Sequence, residues 1–295
     1  MDRINKKELI TNTPSNDDIK VEESSSAPVV KEKEVSLVKK LTFIDLFCGC
    51  GGFSYGFVNA GFRHVFGIDN WKGCKETYQK NIGRFVLMDI RGFDGKPYQE
   101  TVDVVIGSPP CTNFSVANRK KDPKMGMLLI NEFYRIVDEI KPKIWIMENV
   151  PPISKENIRG FKHIFNANDF GVIQNRIRCF TSNIKLEPIQ EGKKFLEYDK
   201  ALQHIVKSKS RLYPLFNTIT TSRQSSITQV MSGIKGIWFA TIEERKAIMS
   251  FPFNFNFYGT DVWRQIGNAV PPLMANGIAL YVKEFLTKEN GSEKK

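Results

Sequence analysis

The sequence predicts an α/β protein with a doubly wound, mostly parallel sheet and a second, smaller lobe placed late in the chain. Two observations carry this reading. From Leu41 to Met147, short apolar runs alternate with stretches of helical character, the pattern of strands joined by crossover helices. A glycine cluster, Gly49-Cys50-Gly51-Gly52, follows the first apolar run and leads into a helix. Missing side chains at such a turn let a ligand approach the backbone at a helix N-terminus.

The elements follow in order. Thr42-Phe43-Ile44-Asp45-Leu46-Phe47 reads as the first strand, and Phe53 to Ala60 starts a helix. His64 to Ile68 is a second strand, Trp71 to Asn81 is helical, and Phe85 to Met88 is a short third strand. Val102 to Ile106 is a buried strand. It runs into Gly107-Ser108-Pro109-Pro110-Cys111, where two prolines stiffen the turn and set one thiol at the mouth of the sheet. A helix covers Leu128 to Ile140, and Ile144 to Met147 is the next strand. After Phe180 the pattern weakens. Residues 182–212 are basic and irregular, with a candidate helix at Leu196 to Val206; Thr218 to Ile227 is rich in Thr, Ser and Arg; Phe251 to Tyr258 is aromatic and loop-like. Order returns at Val270 to Phe285, where Pro271 at a helix start precedes an amphipathic helix. The division expected is a disordered tail at 1–38, too polar to bury a core, a large lobe at 39–181 plus 262–288, and a small lobe at 182–261.

Composition narrows the function. Of 295 residues, 41 % are hydrophobic, an ordinary share for a globular chain. No apolar run reaches the roughly 18 residues of a membrane span, and the N-terminus has no apolar signal segment. Five cysteines without CxxC spacing and three histidines argue against a disulfide framework or a metal site, and a reducing cytoplasmic setting is expected. The net charge is +11, while residues 1–40 balance eight Lys/Arg against eight Asp/Glu. The excess therefore sits on residues 41–295 and favours a polyanionic partner, nucleic acid first; a merely soluble basic surface is the alternative.

Several polar residues are predicted to converge on the sheet edge. Asp69 ends the second strand, where it can accept hydrogen bonds from ribose hydroxyls, and Asp89 follows the third, where it can hold an adenine amino group. A nucleoside without pyrophosphate fits this set, with S-adenosylmethionine the candidate; taken alone, the glycines fit a tight structural turn equally well. Cys111 offers a nucleophilic thiolate. Glu148, in Met147-Glu148-Asn149-Val150, is a general-acid candidate on the same edge. Gln174-Asn175-Arg176-Ile177-Arg178 alternates, so Arg176 and Arg178 are expected on one face of a strand, where two guanidiniums can orient a carboxylate and a pyrimidine carbonyl.

Five segments in this order resemble one family: Phe-Ile-Asp-Leu-Phe-x-Gly-x-Gly-Gly, Gly-Ser-Pro-Pro-Cys, Glu-Asn-Val, Gln-x-Arg-x-Arg, and Arg264-Gln265-Ile266-Gly267-Asn268-Ala269-Val270-Pro271-Pro272. Over residues 41–285 the chain is similar to the DNA (cytosine-5)-methyltransferases. The resemblance implies a Rossmann-like S-adenosylmethionine-dependent fold with a target-recognition lobe. It assigns Phe47, Gly49, Gly51, Asp69, Asp89, Pro109, Asn268 and Val270 to the cofactor pocket. Cys111 becomes the nucleophile, Glu148 the residue at ring N3, Arg178 the residue near O2 and Arg176 its partner. It also implies S-adenosylhomocysteine as product, no metal, double-stranded DNA as substrate, cytosine-5 methylation of tRNA as the alternative because one branch of the family does that, and a cognate restriction endonuclease as a candidate partner. A catalytically silent DNA-binding subunit is the rival of another class, opposed by the intact Cys111, Glu148 and Arg178. An amino methyltransferase would carry Tyr or Trp where Cys111 stands.

The chain departs from the family at named places. Thr112 replaces the usual Gln after the cysteine, Asn70 intervenes before Trp71, and Asp122-Pro123-Lys124 stands for Asp-x-Arg. The loop after the nucleophile is basic, so Ser115, Arg119 and Lys120 are expected on DNA, as is Arg223 beside Thr218-Ile219-Thr220-Thr221. The 148–174 and 182–212 stretches are shorter than usual, which implies a recognition site of roughly two to four base pairs. The tail lies outside every motif and is charge-balanced, so deleting residues 1–38 is expected to leave turnover on short duplexes nearly unchanged. A many-fold drop in the rate of the truncated protein would make the tail structural.

Overall fold

The apolar runs of the first half form one sheet because nearly every residue in them is buried on one face or the other. The computed structural model describes residues 40–110, 123–188, 216–220, 227–231, 234–238 and 241–292. The main-sheet strands are β1 (Thr42–Leu46), β2 (Arg63–Asp69), β3 (Phe85–Leu87), β4 (Val104–Gly107), β5 (Ile144–Asn149), β6 (Phe161–Asn166) and β8 (Ile177–Ser182), with β7 (Gln174–Asn175) between the last two in sequence. Their spatial order is β3-β2-β1-β4-β5-β8-β6. The first five run parallel, and β8 runs antiparallel to both β5 and β6. This is the doubly wound, mostly parallel sheet expected from the sequence.

Helices cover both faces. They are α1 (Gly52–Asn59), α2 (Lys75–Asn81), α3 (Pro123–Ile140), α4 (Ile242–Ile248), α5 (Val262–Asn268) and α6 (Pro272–Ser292). Alternate strand residues choose the face, as the pleat requires. Phe43, Val104, Ile106 and Ile146 pack with Phe53 and Phe57 of α1 and Met274, Ile278 and Val282 of α6. Ile44, Val105, Trp145 and Met147 pack with Ile130, Phe133 and Val137 of α3 on the other side. Each such side chain contributes about 1.5–3 kcal/mol on burial. Helices α1 and α6 approach so closely that a Cβ at Gly56 would lie 2.4 Å from the Ala275 Cβ, so glycine is the residue that permits the contact.

Differences from expectation have local causes. The first strand ends at Leu46, because Phe47 turns into the left-handed region at φ 58°. Trp71 is extended, and a 3-10 turn at Lys72–Cys74 precedes α2. Helix α3 begins at Pro123 rather than Leu128, since proline suits a first turn, where its missing N–H costs nothing. Strand β6 was not expected; it is an edge strand with Phe161 and Ile164 half exposed, so it lacks a buried run. The Gln174–Arg178 segment is not one strand. Its first half, β7, joins a second sheet with β9 (Phe216–Asn217), β10 (Ile227–Met231) and β11 (Ile234–Trp238) in the order β11-β10-β9-β7, and its second half is β8. The candidate helix at 196–206 lies outside the described residues. The Phe251 to Tyr258 stretch is irregular as expected, yet Phe251 and Phe255 are buried and pack edge-on and tilted against Phe257, and Phe255 meets Tyr55 of α1. No helix among the described residues is long and apolar enough to cross a membrane.

Candidate active site

Strand order reverses between β1 and β4, which opens a crevice at their carboxyl ends. A cavity of about 500 Å³ lies there, within the span of roughly 300–1,000 Å³ typical of small-molecule sites. Phe47, Gly49, Asp69, Asp89, Pro109, Asn268 and Val270 all line it. Gly51 does not. It caps α1 at φ 97°, and a Cβ there would come within 2.7 Å of the Ile82 side chain, so its role in the structure is to shape the turn. Beside Gly49 the space is open, with nothing within 4 Å of a built Cβ. That bare backbone is the cradle a cofactor needs, and it fits S-adenosylmethionine.

The acidic residues of the cavity differ in their partners. Asp69 accepts from the Gly49 N–H at 2.9 Å and the Trp71 N–H at 2.8 Å. Burial raises its pKa, against the pull of those amides and of Arg264. Asp89 is held bidentate by Arg91, whose hydrogen bonds lower its pKa to about 2. Trp71 lines the cavity with the Arg264 guanidinium 4.4 Å from its ring centroid, a cation–π contact. Gln265 donates to the carbonyls of Gly73 at 3.0 Å and Tyr258 at 2.8 Å. Sequence reasoning left Asp45, Trp71 and Arg264 out of the site. Arg264 begins a motif it had quoted, and Asp45 is a carboxylate within an apolar strand, which was the available signal.

The other end of the cavity is built on β5. Glu148 is 7 % exposed and lines the cavity with Pro109 and Pro110. Antiparallel pairing of β5 and β8 sets Glu148 opposite Phe180, and Arg178 reaches back from β8 to pair with Glu148 at 3.0 Å. Burial raises the Glu148 pKa, while the charges of Arg178 and Arg176 work against that rise. Asn149 donates to the Pro109 carbonyl at 3.1 Å, and the Ser108 N–H donates to Leu46 at 3.1 Å. The proline turn is thereby tied to both β5 and β1. Cys111, the next residue after Pro110, lies outside the described residues, as do Ser115, Arg119, Lys120 and Arg223.

Arg176 requires a correction. The segment is not the single strand expected: Arg176 lies between β7 and β8, where the chain crosses from one sheet to the other, while its charge still acts on Glu148. Its buried guanidinium donates to the carbonyls of Ile219 at 2.9 Å, Gly267 at 2.8 Å and Ala269 at 3.0 Å. It thus fastens the β9 region and the C-terminal motif to the β7–β8 junction. Alternation in the sequence could not reveal this, since all three acceptors are distant in the chain.

Comparison with known proteins gives a consistent answer. The family model described as C-5 cytosine-specific DNA methylase matches residues 41–235. A type II methyltransferase of Methanocaldococcus jannaschii is 33 % identical, over 83 % of this chain and 100 % of its own length. The type II methyltransferase M.HgiDI of Herpetosiphon aurantiacus is 29 % identical, over 83 % and 95 %. Among solved structures, the Entamoeba histolytica methyltransferase EhMeth superposes with a TM-score of 0.64 at 17 % identity, covering 84 % of this chain and 99 % of its own. A methyltransferase encoded within an E. coli prophage gives 0.62 at 20 % identity, over 84 % and 100 %. At those identities the two structures speak for the fold.

Proposed function

The chain belongs to the C-5 cytosine-specific DNA methylases, and from that premise we propose that it methylates a cytosine swung out of duplex DNA, through a covalent bond from Cys111 to ring C6. It is an S-adenosylmethionine-dependent DNA cytosine-5 methyltransferase. The observation that carries the mechanistic reading is the buried Glu148–Arg178 pair beside the proline turn that leads to Cys111.

Cytosine C5 is a weak nucleophile. Attack of the Cys111 thiolate on C6 pushes electron density toward N3 and makes C5 an enamine carbon. Glu148, whose proton is held more firmly by burial, donates it to N3. Arg178 remains on the same edge to stabilise charge at O2. S-adenosylmethionine would supply an electrophilic methyl group, to which C5 bonds as neutral S-adenosylhomocysteine departs. Transfer of the C5 proton to water, with return of the N3 proton to Glu148, then lets the C6–S bond break, and the Cys111 thiolate leaves. A base inside the stack cannot present both faces to these groups, which supports extrusion.

In this proposal residues 182–261 read the target, with Arg223 and the basic loop carrying Ser115, Arg119 and Lys120 on the DNA. Two of the relatives are named type II methyltransferases, which supports a cognate endonuclease as partner. The test is methyl incorporation into duplex DNA against total tRNA, with a 5-fluorocytosine duplex as a trap. DNA is expected to be labelled and the trapped duplex to form a denaturant-resistant adduct. Labelling of tRNA alone would overturn the substrate. Absence of an adduct in an otherwise active preparation would overturn the covalent step.

A further inference from the structure

Among the described residues, four carboxylates line the cavity: Asp45, Asp69, Asp89 and Glu148. Three are provided for. Asp69 takes two backbone amides, Asp89 takes Arg91, and Glu148 takes Arg178. Asp45 has no such partner. It is fully buried on β1, its Oδ2 accepts the Ser54 hydroxyl at 2.6 Å, and its Oδ1 has no hydrogen-bond partner. Burial, joined by the like charge of Asp69 on β2, pushes the Asp45 carboxyl up to about 8 against the hydrogen bonds from the Ser54 side chain and backbone. The other titratable groups around it are the thiols of Cys48 and Cys50 in the glycine turn and Tyr78 of α2, all with pKa values raised by burial.

The surrounding hydroxyls can serve either state of Asp45. Ser54 Oγ lies 2.6 Å from Tyr78 OH, which lies 2.9 Å from His64 Nε2. With Asp45 protonated, each hydroxyl can donate outward along this line to the imidazole, which burial keeps neutral by lowering its pKa to about 4. With Asp45 ionised, Ser54 turns to donate to it. Neither state strands a donor.

A buried carboxyl without a cation keeps its proton until a cation arrives. The methyl donor carries one net positive charge, from its sulfonium, whereas the product thioether is neutral overall. We propose that Asp45 is the counter-ion of the positively charged methyl donor, releasing one proton to solvent as the donor binds and thereby favouring donor over product. This rests on the cofactor reading above and extends it to a residue that discriminates the two forms.

The experiment is titration calorimetry of the full chain, without DNA, in buffers of differing ionisation enthalpy near neutral pH. S-adenosylmethionine is expected to release close to one proton and S-adenosylhomocysteine far less. Asp45→Asn, which imitates the protonated form in size and charge, is expected to abolish the difference and to weaken donor binding about tenfold, with product binding little changed. Equal proton release by the two ligands in the wild-type protein overturns the proposal, whatever the variant does, and leaves the methyltransferase reading standing. Failure to bind either ligand overturns both.

Discussion

Glu148→Gln is expected to lower the turnover number for methyl transfer by roughly 10²–10⁴-fold, the usual worth of a positioned general acid. Glutamine fills the same space and can donate a hydrogen bond to N3, but it has no proton to give up. The pH profile separates this role from a structural one. Burial raises the Glu148 pKa, so the protonated acid persists above the ordinary carboxylate range and wild-type turnover should fall as pH climbs through that raised value. The variant should lack this limb. It also leaves the Arg178 guanidinium, 13 % exposed, without its counter-charge, so thermal unfolding must be measured alongside. A folded variant with wild-type turnover and an unchanged pH profile would remove Glu148 from the chemistry.

Arg176→Ala should act on the fold first. It deletes the donors that satisfy the carbonyls of Ile219, Gly267 and Ala269. Charge-assisted bonds of this kind are worth about 1.5–3 kcal/mol each, and the buried acceptors left behind add their own desolvation cost. A net loss of about 3–5 kcal/mol is expected, a large share of the roughly 5–15 kcal/mol by which domains are stable. Arg176→Lys should recover little, because one ammonium cannot reproduce a planar fork across three separate acceptors. Denaturant unfolding followed by circular dichroism is the measurement. An alanine variant with wild-type stability but no turnover would place Arg176 in the chemistry instead.

These two residues also mark how far the sequence could be read. Glu148 was legible because the apolar run Ile144–Met147 leads straight to a carboxylate at a strand end, and parallel strands place such ends on one edge. Cavity residues such as Phe47, Asp69 and Pro109 were legible for the same reason. The strand through Arg176 was misread because period-two alternation assumes a single strand, and nothing local says that the chain changes sheets at that point. Asp45 was overlooked although a carboxylate inside the apolar run Thr42–Leu46 was the available signal, because Ser54, the hydroxyl it accepts from, is brought to it only by α1. Strand β6 escaped because an edge strand with exposed Phe161 and Ile164 has no clean pattern of its own.

The wall formed by Asn268 and Val270 has a consequence for how the protein is made. Apart from Arg264, Gln265 and Ala269 of the same segment, the rest of the cavity is assembled from residues 45–148, yet it gains this side only when the C-terminal motif returns and α6 settles against α1. Contacts so far apart in the chain form late and slowly. During synthesis, then, the ribosome will have emitted the whole parallel sheet long before a methyl donor can be captured. A nascent chain halted anywhere short of the α5–α6 junction would be a sheet with an open flank, exposing Phe53 and Phe57 to chaperones and proteases. Synthesis through α6 is therefore the last step in building the pocket.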